Sequence, residues 1–266
     1  MHPPGMQHPG QQPGGCTIGV MAKAPIPGRS KTRLTPLLTP EEAAALSAAF
    51  LRDVTENVRL ASQQAPIQGY IAYSPAGAEA LFDGHLAEGT VLVLADGSPD
   101  LPPRVQGFGR CLLHAIRSML AGDLNGGQRA ACVLNSDSPN LPTALLIEAA
   151  TTLLERPDRV VLGPAEDGGY YLLGMTAPHA HLFEDIAWST DTVAEETRTR
   201  ARSLGLELVE LAPWYDVDDR TGLERLIKEI SSPSPSTTPP PYAAPVTAAC
   251  LARIGLGHAA TSLAAQ

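Results

Sequence analysis

Residues 18–34 read IGVMAKAPIPGRSKTRL, where a short apolar strand opens into a basic loop punctuated by proline. Lys23, Arg29, Lys31 and Arg33 place positive charges in this loop, although the whole chain carries a formal net charge of −9. A cationic loop at the end of a strand indicates a bound anion, and phosphate is the usual candidate. The alternative is a solvated basic loop without a ligand.

A helix should follow this loop. Thr39-Pro40-Glu41-Glu42 is a capping box with proline at the first helical position, and apolar residues continue from it at helical spacing. Further apolar runs predict strands at 69–73, 90–95, 130–134, 159–163, 170–175 and 206–211, besides the first at 16–22. Helical patterns lie between most of them, near 109–120, 142–155, 191–204 and 220–230. This alternation predicts one α/β domain over residues 16–230, with a mainly parallel (mixed) sheet and helices on both faces.

The two ends of the chain differ in composition from this domain. Residues 1–15 are rich in Gly, Pro and Gln and lack an apolar core, which predicts a disordered segment rather than a leader peptide. From Ser231 onward the chain is rich in Pro, Ser and Ala, and we expect residues 231–266 to be a tail outside the catalytic fold. The alanine-rich residues 246–266 are compatible with a short helix within this tail.

Composition excludes several classes of protein. No apolar run is long enough to span a membrane, so we expect a cytoplasmic protein without an integral membrane segment. The isoelectric point of about 5.2 argues against general nucleic-acid binding. The 4 cysteines stand far apart without a C-x-x-C pair, which argues against a zinc site or a disulfide framework.

Carboxylates follow two of the predicted strands. Asp137 comes shortly after strand 130–134. Asp216 and Asp218 follow the last predicted strand, and their side chains point to the same side if this segment is extended. Ligands of such sheets bind at the carboxyl ends of the strands, and carboxylates from two loops suit Mg²⁺ or Mn²⁺. The alternatives are a plain turn aspartate at 137 and helix capping by Asp218 or Asp219.

Two further segments have both a functional and a structural interpretation. Residues 163–171, GPAEDGGYY, contain paired glycines that allow close approach of a ligand, but a hairpin turn explains the same residues. Trp188 precedes a helix and is equally compatible with a core position. Gly107-Phe108-Gly109 begins like a dinucleotide fingerprint, but Leu112 stands where the third glycine belongs.

The motifs MAKAPIPGRSKTRL, SDSPNLP, GPAEDGGYYLLG, WST and DVDD, in this order, resemble a bacterial family of GT-A-like transferases. That family is often labelled selenodomain-associated transferase 1 or simply glycosyltransferase. The resemblance covers roughly residues 16–230. It implies the nucleotide-diphospho-sugar transferase fold, distantly similar to the molybdenum-cofactor and phospholactate guanylyltransferases.

The resemblance also implies roles for individual residues. The nucleotide-binding residues would be Lys23, Pro25, Gly28, Lys31 and Arg33, and those with a catalytic role Lys31, Arg33 and Asp137. The metal ligands would be Asp137, Asp218 and Asp216, and the acceptor side would include Asp167, Gly168, Gly169 and Trp188. The chain departs from the family where Phe108-Gly109-Arg110-Cys111 replaces Leu-Gly-x-Arg, and where Asn135 replaces a common glycine.

These observations lead to a ranked expectation of function. The first is a metal-assisted glycosyltransferase with a nucleotide-sugar donor and an unknown small-molecule acceptor. The second is a nucleotidyltransferase that releases pyrophosphate from a nucleoside triphosphate, which the basic loop favours. The third is a nucleotide-binding module without turnover. The sequence predicts neither the acceptor nor the oligomeric state.

Overall fold

A computed structural model describes residues 14–98, 100–121, 128–232 and 238–256. The disordered segment predicted for residues 1–15 lies almost wholly outside these ranges. The strands are β1 (Cys16–Ala22), β2 (Ile67–Tyr73), β3 (Val91–Leu94), β4 (Ala130–Leu134), β5 (Arg159–Pro164), β6 (Tyr170–Met175) and β7 (Glu207–Glu210). The helices are α1 (Pro40–Ala61), α2 (Phe108–Ala121), α3 (Thr143–Glu155), α4 (Val193–Ser203), α5 (Arg220–Ser231) and α6 (Pro245–Arg253).

The strands form one sheet in the order β3-β2-β1-β4-β6-β5-β7. Strand β1 pairs in parallel with β2 and β4, while β6 runs antiparallel between β4 and β5. The predicted mainly parallel, mixed sheet is thus confirmed. Because β1 and β4 are parallel neighbours, the loops after them leave the same edge of the sheet side by side.

Helices cover both faces of the sheet and bury alternate residues of its strands. Leu134 packs into the core beneath α1, α3, α5 and α6, whereas its neighbour Val133 packs into the core beneath α2 and α4. None of the helices among the described residues combines the length and apolar character that crossing a membrane requires.

The helix after the basic loop begins where the capping box predicts. The Thr39 hydroxyl accepts a hydrogen bond from the Glu42 backbone N–H (3.2 Å), and the Glu42 carboxylate accepts one from the Thr39 N–H (2.8 Å). Pro40 opens α1, and Phe50 and Val58 lie on its buried side. Between β1 and α1, backbone φ is +73° at Gly28 and +49° at Lys31, which turns the basic loop back across the end of the sheet.

The chain after residue 231 packs differently from the expectation of a separate tail. Helix α6 lies against α1 and buries Cys250 and Leu251 in the same core as α1. Asp53 of α1 is fully buried and accepts hydrogen bonds from the first backbone N–H groups of α6, at Val246 (3.2 Å) and Thr247 (2.6 Å). The alanine-rich residues allowed a short helix, but composition did not reveal that this helix packs against α1. The fold therefore includes a segment that we expected outside it.

Candidate functional site

The central feature of the site is the ammonium group of Lys31, which lies between two carboxylates. Its Nζ is 2.6 Å from Asp137 Oδ1 and 3.3 Å from Asp218 Oδ1, and it donates to the Val217 carbonyl oxygen at 2.8 Å. The Lys31 side chain is only 7% exposed, and Nζ also lies 5.1 Å from the centre of the Phe50 ring. The two acidic loops and the basic loop therefore meet at one cation.

Backbone contacts bring the two acidic loops together. The Val217 N–H donates to the Asp137 carbonyl oxygen (2.8 Å), and the Ser138 hydroxyl donates to the Tyr215 carbonyl oxygen (2.8 Å). Val217 itself is fully buried, so the carboxylates on either side of it in this extended segment are left facing away from the core. This arrangement supports the interpretation of Asp216 and Asp218 as residues on one side.

The alternative of helix capping applies to one residue of the cluster. Asp219 precedes α5, and its carboxylate accepts a hydrogen bond from the Gly222 N–H (2.9 Å). Asp218 does not make that contact and instead faces Lys31. The two neighbouring aspartates thus have different roles, one in helix capping and one in the charged cluster.

Burial and charge act differently on the carboxyl groups. Burial disfavours ionisation of Asp137, yet the charge and hydrogen bond of Lys31 bring its pKa below the usual value. Burial and the charge of Asp137 raise the pKa of Asp218 despite Lys31. Burial, with the charges of Asp218 and Asp167 nearby, raises the pKa of Asp216 to about 6. Asp137 is therefore the most readily ionised of the three carboxyl groups. A bound cation would favour ionisation of Asp216 and Asp218 more than that of Asp137.

Lys31, Asp137 and Asp218 line a cleft of about 630 Å³ at the carboxyl ends of the strands, and Asp216 is not among its lining residues. Lys23, Arg29 and Arg33 also line this cleft, so the basic loop supplies several cations to it. Arg33 is 75% exposed and lies 3.8 Å from Asp218 Oδ2. Gly28 and Lys23 border a neighbouring cavity of about 620 Å³ on the other side of the loop. Pro25 lies in the loop but does not line either cavity.

The segment with paired glycines forms the turn of a hairpin. The N–H of Gly169 donates to the Asp167 carboxylate (2.9 Å), and β5 and β6 pair on either side. Gly168 has φ +90°, and a Cβ there would stand 2.1 Å from the Asp191 carbonyl oxygen. Packing against the start of α4 therefore accounts for Gly168 without a ligand. Asp167 is exposed and close enough to Asp216 to affect its pKa.

Trp188 packs on the start of α2 and does not line the main cleft. Its indole N–H donates to the Gln106 carbonyl oxygen (3.1 Å), and its ring meets Phe108 edge to face with centroids 5.8 Å apart. A Cβ at Gly109 would approach the Trp188 ring to 2.7 Å, so glycine is needed there for packing. Phe108 lines the cleft and is 49% exposed. Trp188 thus supports an aromatic residue of the cleft.

The sequence interpretation missed several cleft residues. Phe108 and Cys111 appeared in the sequence analysis only within motifs that depart from a known pattern, and Ser74 and Ser136 were not singled out. Ser136 donates a hydrogen bond to Asp137 Oδ1 (3.1 Å). The one available signal was position, because Ser74 follows directly after a predicted strand and Ser136 is the second residue after another. Arg110, which departs from the family pattern, donates to the Gly97 carbonyl oxygen (3.0 Å) and does not line the cleft.

Asp137 and Asp218 are the side chains that could hold a divalent ion. Mg²⁺ is commonly bound by one or two carboxylates, with substrate phosphates and water completing its shell. Within the described residues there is no group of three or more His, Cys, Asp or Glu arranged to hold a metal, so Asp216 does not complete a three-carboxylate site. The donor set fits a divalent ion that arrives with phosphate. The Lys31 ammonium contacts the same two carboxylates.

A family profile matches residues 57–190, half of the chain, and is described as "Uncharacterized protein conserved in bacteria (DUF2064)". The chain belongs to this family. The DUF2064 match includes Asp137, the hairpin glycines and Trp188, but neither the basic loop nor Asp218. A comparison with curated proteins found no match.

A comparison with solved structures found similar chains. A candidate nucleotide-diphospho-sugar transferase from Desulfovibrio desulfuricans G20 matches 90% of this chain and 95% of its own, with a TM-score of 0.71 and 25% identity. A nucleotidyl transferase from Methanothermobacter thermautotrophicus matches 80% of this chain and 95% of its own (TM-score 0.47, 14% identity). A manganese complex of Rv0371c from Mycobacterium tuberculosis H37Rv matches 80% of this chain and 98% of its own (TM-score 0.43, 15% identity).

The first of these similarities, together with the family match, confirms the predicted resemblance to GT-A-like bacterial transferases. The DUF2064 chain has the nucleotide-diphospho-sugar transferase fold over most of its length. The other two similarities are too distant to carry an argument about function.

Proposed function

We propose that this protein is a transferase that uses a nucleotide-activated donor and a divalent ion, and that it transfers a glycosyl group from a nucleotide sugar. The observation that carries the proposal is the Lys31 ammonium, which joins the basic loop to Asp137 and Asp218 on the wall of the cleft. The similarity to a candidate nucleotide-diphospho-sugar transferase supports a nucleotide sugar as donor.

The charges of the cleft suit a departing diphosphate. Lys23, Arg29 and Arg33 surround the space with positive charge, and Lys31 can contribute a further cation from its position beside Asp137. Such preorganised groups stabilise negative charge that develops on a leaving group. A divalent ion on Asp137 and Asp218 would add to this charge stabilisation when bound. The acidic pair would thus recruit a cation, while the basic loop holds phosphate oxygens.

Nucleotidyl transfer is the second candidate. The basic loop brings Lys23, Arg29, Lys31 and Arg33 to the cleft, and a triphosphate, with one phosphate group more than a diphosphate, gains more from them. In that reaction the leaving group is pyrophosphate rather than a nucleoside diphosphate. A nucleotide-binding module without turnover is the third, because Arg110 departs from the family pattern and lies outside the cleft.

Product analysis separates the three functions. The protein is incubated with Mg²⁺ or Mn²⁺ and either nucleotide sugars or nucleoside triphosphates, together with a panel of small-molecule acceptors. Release of nucleoside diphosphate with transfer of sugar supports the first function. Release of pyrophosphate from a nucleoside triphosphate supports nucleotidyl transfer, the second function, instead. Nucleotide binding without turnover across the panel favours the third.

Charge-removing variants test the proposed metal site. We expect Asp137→Asn and Asp218→Asn to reduce divalent-dependent nucleotide binding by about tenfold or more, measured by calorimetry with and without Mn²⁺. Asp219→Asn is the matched control, because asparagine is an equally good helix cap and Asp219 does not contact Lys31. Unchanged binding in both charge variants would remove the metal site from the proposal.

A further inference from the structure

The two acidic loops, which carry Asp137 and Asp218, are also joined by buried side chains. Asn140 follows Asp137 in one loop, and Tyr215 precedes Asp218 in the other. Both are buried, at 1% and 4% exposure, and Asn140 Nδ2 donates a hydrogen bond to the Tyr215 hydroxyl at 2.9 Å. Each loop therefore contributes one buried polar side chain to a direct contact between the loops.

Glu229 of α5 accepts hydrogen bonds from both of these side chains. Its Oε2 accepts from the Tyr215 hydroxyl at 2.7 Å and from Asn140 Nδ2 at 2.8 Å. The three groups form a closed triangle, in which the Tyr215 hydroxyl both donates and accepts. A carboxylate oxygen that belongs to neither loop thus holds the two loops together.

Arg225 contacts the other oxygen of the Glu229 carboxylate. Its Nε donates to Glu229 Oε1 at 3.0 Å, and its guanidinium carbon lies 3.8 Å from the centre of the Tyr215 ring. It also donates to Glu166, in the turn between β5 and β6, at 2.7 Å. Both oxygens of Glu229 are therefore hydrogen-bonded, which fixes the orientation of its carboxylate.

The helix that carries Glu229 does not itself favour a glutamate at this position. Glu229 lies in the last turn of α5, where the helix dipole disfavours a negative charge. Arg225 precedes Glu229 by one helical turn, which is the less favourable order for an ion pair along a helix. The contacts of Glu229 with the acidic loops therefore account for this residue better than the stability of α5 does.

A hydrogen-bonded network in the core fixes geometry because each of its bonds is directional. We propose that Glu229 is a positioning residue of the site, which through Tyr215 and Asn140 holds the two acidic loops so that their carboxylates face the same cation. The Lys31 ammonium already contacts both carboxylates. The inference rests on the proposed function only where that cation is a divalent ion.

Two substitutions of Glu229 separate its hydrogen bonds from its charge. Glu229→Gln and Glu229→Met both remove the negative charge and keep a side chain of similar length, but only glutamine retains an oxygen that accepts from Tyr215 and Asn140. Tyr215→Phe removes the hydroxyl and keeps the ring. Tyr73→Phe is the matched control, because the Tyr73 hydroxyl also donates to a glutamate, Glu79, and neither residue belongs to an acidic loop.

Two measurements are made on the parent and on each variant. Electron paramagnetic resonance gives the Mn²⁺ affinity in the absence and presence of nucleoside diphosphate. Hydrogen exchange, followed by NMR, compares the Val217 N–H, which donates to the Asp137 carbonyl oxygen, with the N–H of Val20 in the core of β1. Faster exchange of Val217 relative to Val20 reports separation of the loops without global unfolding.

We expect Tyr215→Phe and Glu229→Met to weaken Mn²⁺ binding by about fivefold, because the carboxylates are no longer held at one distance. In both variants the exchange of Val217 should become about five- to tenfold faster relative to that of Val20. Glu229→Gln and Tyr73→Phe should stay within about twofold of the parent in both measurements.

Three results would each overturn the inference. Equal effects of Glu229→Gln and Glu229→Met would assign any role to charge. Exchange of Val217 in step with that of Val20 in every variant would leave only a contribution to overall stability. The third is unchanged Mn²⁺ affinity in Tyr215→Phe and Glu229→Met when the parent binds the ion. If the parent binds no Mn²⁺ with or without nucleotide, the proposed metal site fails instead, and hydrogen exchange still tests the positioning.

Discussion

The Lys31 ammonium lies 2.6 Å from Asp137 Oδ1, with the lysine side chain almost completely buried. The lysine comes from the loop after β1 and the aspartate from the loop after β4, so this ion pair links the two loops at the edge of the sheet. Because Asp218 contacts the same ammonium, Lys31 neutralises carboxylates that a divalent ion would also need. A cation from the protein and a cation from solution therefore compete for the same oxygens.

This competition predicts that removal of the Lys31 charge strengthens metal binding and weakens nucleotide binding. In Lys31→Met, Mn²⁺ should bind about tenfold more tightly in the absence of nucleotide, because Asp137 and Asp218 lose their protein cation. Nucleoside diphosphate should bind about tenfold more weakly, because the cleft loses a positive charge. Electron paramagnetic resonance of Mn²⁺ and calorimetry of the nucleotide measure the two effects. Lys31→Arg, which keeps the charge, serves as the control. Unchanged Mn²⁺ affinity in Lys31→Met would contradict the competition.

Phe108 is predicted to contribute to ligand binding rather than to stability. Its ring lines the cleft and is 49% exposed, so Phe108→Ala should lower nucleotide affinity about three- to tenfold through lost ring contacts. The melting temperature should change little. Leu204→Ala is a suitable control, because Leu204 is similarly exposed (40%) at the end of α4. A large loss of stability with unchanged affinity would place Phe108 in the core instead.

Gly168 is predicted to be required for packing. In Gly168→Ala the new Cβ meets the Asp191 carbonyl oxygen, so the free energy of unfolding should fall by about 3 kcal/mol. Gly28→Ala meets no atom within 4 Å and should cost only about 1 kcal/mol, from its positive φ. Urea unfolding of both variants measures the difference. Equal losses would mean that φ, and not the contact with Asp191, limits Gly168.

The buried carboxyl group of Asp53 should make the free energy of unfolding depend on pH. Burial raises its pKa above the ordinary 3.8 of the unfolded chain, so the native state holds this proton to higher pH. The resulting stabilisation is complete below the unfolded pKa and is lost as the pH rises through the native pKa. The free energy of unfolding of the parent relative to Asp53→Asn should therefore fall as the pH rises above the ordinary carboxyl pKa of 3.8. A flat or rising difference would contradict a raised pKa.

The sequence predicted the secondary structure well because its signals are local. The capping box of Thr39 and Glu42 is made within one turn, and all the predicted strands appear with bounds shifted by at most a few residues. A short helix near α6 was compatible with the alanine-rich sequence, but its packing on the fold was not predicted, because that packing depends on α1, nearly two hundred residues earlier. The sequence left open whether Asp218 or Asp219 caps α5, since both precede this helix, and the structure assigns the cap to Asp219.

By itself, the sequence determined the alternation of strands and helices, the basic loop and the carboxylates placed after strands. Only the tertiary structure decided that Lys31 lies between Asp137 and Asp218, that Phe108 lines the cleft and that α6 packs against α1. The physical reason is distance along the chain. Periodicity and capping act within a few residues, whereas Lys31 meets the Val217 carbonyl across 186 positions, through strand order and loop contacts that no local pattern encodes.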